Sequence, residues 1–150
     1  MIGRLAFAAL LLSAPLAVAQ ETQVGQLTFV DAHIAVPSAA AKVGGGYVVI
    51  RNQGDAVERL LGGAADFAGS VEVHETTVDE YGVARMSAVE ALEIPPGGAV
   101  SLEPGGYHIM FMGLTGPLPD AEPVTVTLRF ETAGDVAVPF TVKPAGGHDH

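Results

Sequence analysis

Glycine and proline interrupt this chain too often for long helices to form. Nineteen glycines and ten prolines are spread through 150 residues. Glycine weakens a helix interior and proline breaks it. Between the interruptions lie short runs rich in β-branched and aromatic residues, which read as strands. These runs cover residues 26–36, 46–52 (GYVVIRN), 57–62, 70–76 (SVEVHET), 83–89, 99–102, 107–112, 124–131 and 136–142. Pro95-Pro96-Gly97-Gly98 and Glu103-Pro104-Gly105-Gly106 mark tight turns, and Ala133-Gly134-Asp135 closes a last hairpin. Only residues 64–67 read as a helical turn. Many short strands at close spacing predict an all-β chain, folded as an antiparallel Greek-key β-sandwich.

The first residues read as an export leader. Arg4 precedes the apolar run LAFAALLLSAPLAVA, which ends in Ala17-Val18-Ala19. That small-x-small ending predicts cleavage before Gln20. The run is short for a membrane span, and Pro15 interrupts it. The expected organisation is a cleaved signal peptide over residues 1–19, one β-sandwich domain over 20–144 and a loose tail over 145–150. No second stretch is long and apolar enough to span a bilayer, so no membrane insertion is expected after cleavage. The formal net charge is −10. Such a surface repels nucleic acid and anionic membrane and attracts metal cations and basic partner faces.

The chain has no cysteine. That removes disulfides, thiol catalysis, zinc ribbons and cysteine-ligated blue copper together. Soft-metal chemistry would have to run through methionine and histidine. His74, Met86, His108 and Met110 stand out for it. Side chains alternate across a strand. Tyr107, Ile109 and Phe111 therefore share one face, and His108, Met110 and Met112 share the other. Likewise Val71 and Val73 oppose Glu72 and His74. Taken singly, a methionine is usually a packing residue and a histidine usually a surface or hydrogen-bonded one. Together, two thioethers and two imidazoles make a neutral, soft, four-coordinate set that selects Cu(I). Met112 is a reserve candidate with an expected packing or rim role. His33 is expected to be structural or exposed. Glu72, Glu75 and Asp79 could steer cations or accept a histidine N–H. The sequence holds no phosphate loop, Gly-x-Ser-x-Gly elbow or HExxH helix, so no enzyme is expected.

The order His74, eleven residues, Met86, twenty-one residues, His108, one residue, Met110 is a motif. Together with VEVHETTVDEYG, YGVARM, the IPPGG turn and PGGYHIMFMGL, it resembles the periplasmic copper chaperones of the PCuAC family. The resemblance runs from about residue 46 to 142. It implies a cupredoxin-like fold and a main Cu(I) site at the four residues. It also implies a periplasmic role in carrying copper towards the copper-A centre of cytochrome c oxidase, alongside thioredoxin-like Sco proteins. A periplasmic copper buffer or resistance protein, or a metal-free β-sandwich interaction module, is the alternative. The end of the chain, Gly-Gly-His148-Asp149-His150, offers nitrogen and oxygen donors that suit a second, weaker Cu(II) site.

Overall fold

The computed structural model describes residues 20–119 and 122–144. The expected signal peptide and the tail with His148 and His150 lie outside the described residues. Eleven strands are present: β1 (Glu21–Val24), β2 (Leu27–Val36), β3 (Val43–Asn52), β4 (Glu58–Ala64), β5 (Ser70–Val78), β6 (Ala84–Ala88), β7 (Leu92–Ile94), β8 (Ala99–Leu102), β9 (Tyr107–Met112), β10 (Val124–Phe130) and β11 (Gly134–Pro144). Residues 66–67 form a turn, and no helix is found among the described residues.

The order β2-β11-β10-β4-β5-β9-β3, with β3 pairing back to β2, closes seven strands into a flattened barrel. Closure removes most exposed sheet edge. The other four strands extend this ring: β1 on β2, β8 on β3, β6 on β5 and β7 on β4. Every pairing is antiparallel except that of β11 with β2, which is parallel. A β-bulge makes the exchange of neighbours possible. The β2–β3 register shifts between Val30 and His33, and Asp31 takes φ 55°. Aspartate tolerates this left-handed conformation better than most residues. Before the bulge β2 pairs with β1; after it, β2 pairs with β11.

The core follows from alternation. Phe29, Ile34, Ile50, Leu60, Ile109, Phe111, Leu128, Phe130, Val138 and Phe140 are fully buried. Phe29 meets Phe130 at 5.9 Å between ring centroids, and Phe111 meets Phe140 at 6.3 Å. Phe67, in the turn after β4, stacks on Phe111 at 5.6 Å. Its apolar anchoring explains the turn at the point where the sequence reads as helical. Strand β3 passes close to this cluster because it carries glycine. A side chain at Gly46 would come within 2.7 Å of the Phe111 ring.

One buried charge is fully paired. Glu58 accepts the backbone N–H groups of Arg59 (3.0 Å), Thr132 (2.9 Å) and Ala133 (3.0 Å). It thereby ties β4 to the β10–β11 turn. Arg59, beside it, faces outward and donates to Glu131 (2.9 Å) and Glu93 (3.2 Å). Hydrogen bonding to these carboxylates, Glu131 foremost, raises the Arg59 guanidinium above its ordinary pKa.

Because charged hydrogen bonds contribute more than neutral ones, Glu58→Ala is expected to lower unfolding free energy by about 3 kcal/mol. Urea denaturation measures this; a loss under about 0.5 kcal/mol, the range of an ordinary surface change, would refute the clamp.

Candidate metal centre

Pairing of β5 with β9 assembles the site. In that register His74 stands opposite His108, and Glu72 stands opposite Met110. Directly opposed residues point to the same face of a sheet. Strand β6 adds to this face from the far side of β5. Its Met86 stands opposite Thr76, two residues along from His74. From the other side β3 brings Gly45 opposite Met110. The four residues singled out in the sequence, distant along the chain, thus share one face of three neighbouring strands.

Their environments differ. His108 is buried, at 4% exposure. Met110 is half-buried. The His74 side chain is 16% exposed. Met86 is 63% exposed, on a strand that pairs only with β5 and whose five residues are all exposed. His108, Met110 and Met86 line a cavity of about 400 Å³, with Tyr47, Val43 and Pro104 among its walls. His74 is not among the residues that line this cavity; its ring centroid lies 6.0 Å from that of His108, with the planes inclined by 43°.

That spacing suits a shared ion. A metal about 2.0–2.1 Å from a ring nitrogen lies about 3.2 Å from the ring centroid. Two imidazoles on one ion then have centroids about 5.2 Å apart at a tetrahedral angle and about 6.4 Å apart in a linear arrangement. The observed 6.0 Å falls between these limits.

The hydrogen bonds leave nitrogen lone pairs free. His108 Nδ1–H donates to the Gly106 carbonyl at 3.2 Å. Its Nε2 is buried and has no hydrogen-bond partner among the described residues. An orphaned buried polar atom is uncommon and costly. Here it belongs to a histidine that lines the cavity together with Met86 and Met110. His74 Nε2–H donates to Glu72 Oε2 at 2.9 Å. Among the described residues no three His, Asp or Glu side chains converge as a metal site. Any ion held here would therefore need the sulfur donors.

The neighbouring residues divide clearly. Glu72 shares the face of His74 and contacts it. Glu75 falls on the opposite face, across from Tyr107. Asp79 belongs to the β5–β6 turn, where Oδ1 accepts the N–H groups of Tyr81 and Val83 and Oδ2 lies 3.7 Å from Arg85. Met112 shares the strand face and stands opposite Val43 and Ser70, but does not itself line the cavity. His33 accepts a structural role: Nδ1 contacts the Asp31 carbonyl at 2.8 Å, and its ring stacks on Tyr47 at 5.5 Å. Tyr47 is a wall residue that the sequence reading did not single out. Alternation in GYVVIRN assigns it to a face, but only the folded sheet places it in the cavity wall that His108 shares.

This arrangement defines the class to which the chain belongs: its fold is that of PCuAC domains. A copper-bound PCuAC domain from PmoF2 superposes with a TM-score of 0.70 at 24% identity, over 83% of this chain and 98% of that one. The solution structure of Cu(I)-DR1885 from Deinococcus radiodurans superposes with a TM-score of 0.61 at 32% identity, over 83% of this chain and 81% of that one. The chain belongs to the LpqE-like family, which matches residues 27–142. It is also 34% identical over 98 residues to Lxx21020 of Leifsonia xyli subsp. xyli (strain CTCB07), a protein that carries a lipoprotein name. The match covers 65% of this chain and 59% of the length of that relative.

An orphaned nitrogen held for a ligand should add nothing to the stability of the metal-free fold. His108→Leu is expected to leave metal-free stability within about 1 kcal/mol of wild type, since it removes one weak hydrogen bond and one unsatisfied group. A thermal-melt loss equivalent to more than about 3 kcal/mol would make His108 a structural residue.

Proposed function

We propose that the chain is an exported, periplasmic copper carrier. It holds one Cu(I) between His74, Met86, His108 and Met110 and delivers it towards the copper-A centre of cytochrome c oxidase, without catalytic turnover. The observation that carries the reading is the buried, unpartnered Nε2 of His108, a residue that lines one cavity with Met86 and Met110. Thioether sulfur is soft, uncharged and needs no deprotonation, which favours Cu(I) over hard ions and over zinc. Exposure of Met86 suits a carrier, because an acceptor can replace an outer donor before the buried one is released. The copper-bound PmoF2 domain and Cu(I)-DR1885 support the choice of metal. The leader-like residues 1–19, the LpqE-like family and the lipoprotein name of the Leifsonia relative support export. Delivery to the oxidase, and cooperation with Sco proteins, rest on the sequence resemblance. A second Cu(II) site at His148 and His150 rests on their donor chemistry.

Anaerobic Cu(I) titration against a chromogenic competitor tests the site. Wild type should take up one equivalent, and His74→Ala, Met86→Ala, His108→Ala and Met110→Ala should each lose affinity by about 100-fold or more, at or beyond the upper end of what even outer partners contribute. Wild-type affinity in the His108 and Met110 variants would sink the reading. Delivery is tested in a strain lacking the gene. Loss of oxidase activity at low copper is expected; copper sensitivity with normal oxidase would indicate a buffer instead.

A further inference from the structure

We infer that Glu72 is a positioning residue that makes His74 bind through Nδ1, while His108 binds through Nε2. The inference rests on the Cu(I) reading above and specifies how that site is built.

Glu72 and His74 are i and i+2 on β5, so both side chains rise from the same face. The ionised carboxylate can only accept a hydrogen bond. The 2.9 Å contact between Glu72 Oε2 and His74 Nε2 therefore places the proton on Nε2 and leaves the lone pair on Nδ1. On the facing strand the arrangement is reversed. A backbone carbonyl, Gly106, can likewise only accept, so the His108 proton sits on Nδ1 and the lone pair on Nε2. Each imidazole donates one N–H to an oxygen and keeps one bare nitrogen. Metal-binding histidines show this arrangement regularly, since the outer hydrogen bond sets tautomer and ring orientation and raises ligand basicity.

The opposite choice of nitrogen has a geometric reason. His74 and His108 face each other across one register step, with ring centroids 6.0 Å apart. Nδ1 lies next to the Cβ branch and Nε2 at the far side of the ring. Pairing the near nitrogen of His74 with the far nitrogen of His108 sets the shared ion to one side of the strand pair, closer to the β5 backbone than to β9. That is the side on which β6, carrying Met86, pairs with β5. Glu72 itself stands opposite Met110, so its carboxylate also contributes a negative charge beside the monovalent ion. Its side chain is 48% exposed, and the carboxylate makes no other hydrogen bond among the described residues. Orientation of His74 is thus its evident contact.

The test uses the full chain, uniformly ¹⁵N-labelled and loaded anaerobically with one equivalent of Cu(I), which is diamagnetic. Long-range ¹H–¹⁵N correlation distinguishes the two nitrogens of each ring. Metal-free protein should show His74 protonated at Nε2 and His108 at Nδ1; Cu(I) should then shift His74 Nδ1 and His108 Nε2. In Glu72→Ala the His74 ring should show mixed tautomers, and Cu(I) affinity should fall about 10- to 100-fold, the usual effect of losing an outer partner. Glu72→Gln keeps an acceptor oxygen and should preserve the tautomer with a smaller loss. Thermal stability of the metal-free variants should match wild type. Cu(I) bound through His74 Nε2, or an unaltered tautomer and affinity in Glu72→Ala, would overturn the inference while leaving the copper site standing. Failure of the wild type to bind Cu(I) at all would overturn both.

Discussion

The pairing of β5 with β9 is the contact on which the site depends. It sets His74 across from His108 and Glu72 across from Met110 in a single register. A slip of one residue would turn one strand's donors to the opposite face, because the side-chain period of a strand is two. That register is held by the other face of the same strands. Val71, Val73, Ile109 and Phe111 are all buried in the barrel core. The apolar face specifies the alignment, and the polar face inherits it. Core packing and site geometry are therefore the same constraint seen from the two sides of one sheet.

Two buried polar groups show how differently the fold treats structure and site. Glu58 is buried with three backbone N–H donors and joins β4 to the β10–β11 turn. His108 is buried with one ring nitrogen bonded and the other bare. An unsatisfied atom of this kind weakens a fold. His108 lines the same cavity as Met86 and Met110, the set that the proposed Cu(I) site uses. Around it the donors grade outward. His108 is buried, His74 and Met110 are partly covered, and Met86 stands on the exposed β6 strand. The β5–β6 hairpin carries further exposed apolar residues, Val78, Tyr81 and Val83, beside Met86. In the proposed copper site this gradient, buried on one side and open on the other, would suit exchange more than permanent retention.

Much of the fold was legible because alternation and turn chemistry are local. Residues 107–112 read as a strand with Ile109 and Phe111 inward and His108 and Met110 outward, and the structure has β9 over the same range. The turns at Pro95–Gly98 and Glu103–Gly106 fall between strands as their composition requires. Two short elements, β1 and β7, were not legible, although the similarly short β8 was. β7 has three residues, and β1 is an exposed four-residue edge, so neither carries enough periodicity to register. The strand read from Gly46 starts three residues earlier, at Val43: Gly44 and Gly45 also belong to β3 and pair with β9, where added side chains would crowd Val36 and Tyr47. The helical reading of residues 64–67 gives way to a turn pinned by Phe67. The parallel β2–β11 pair and barrel closure join residues about a hundred positions apart, beyond any local pattern.

For the site, the chain by itself determined which donors exist. With cysteine absent, histidine and methionine were the soft-metal candidates, and their strand positions assigned each to a face. Those statements follow from side-chain chemistry and a two-residue period, both local properties. Tertiary structure decided the rest: that His74 faces His108 at 6.0 Å, that Tyr47 walls the cavity, that Asp79 is committed to a turn while Glu72 holds an imidazole, and that Met86 is the exposed one of the four candidates. These depend on which strands become neighbours and in what register. That is settled by burial of apolar surface over the whole barrel, a non-directional and collective force that no short stretch of sequence encodes alone.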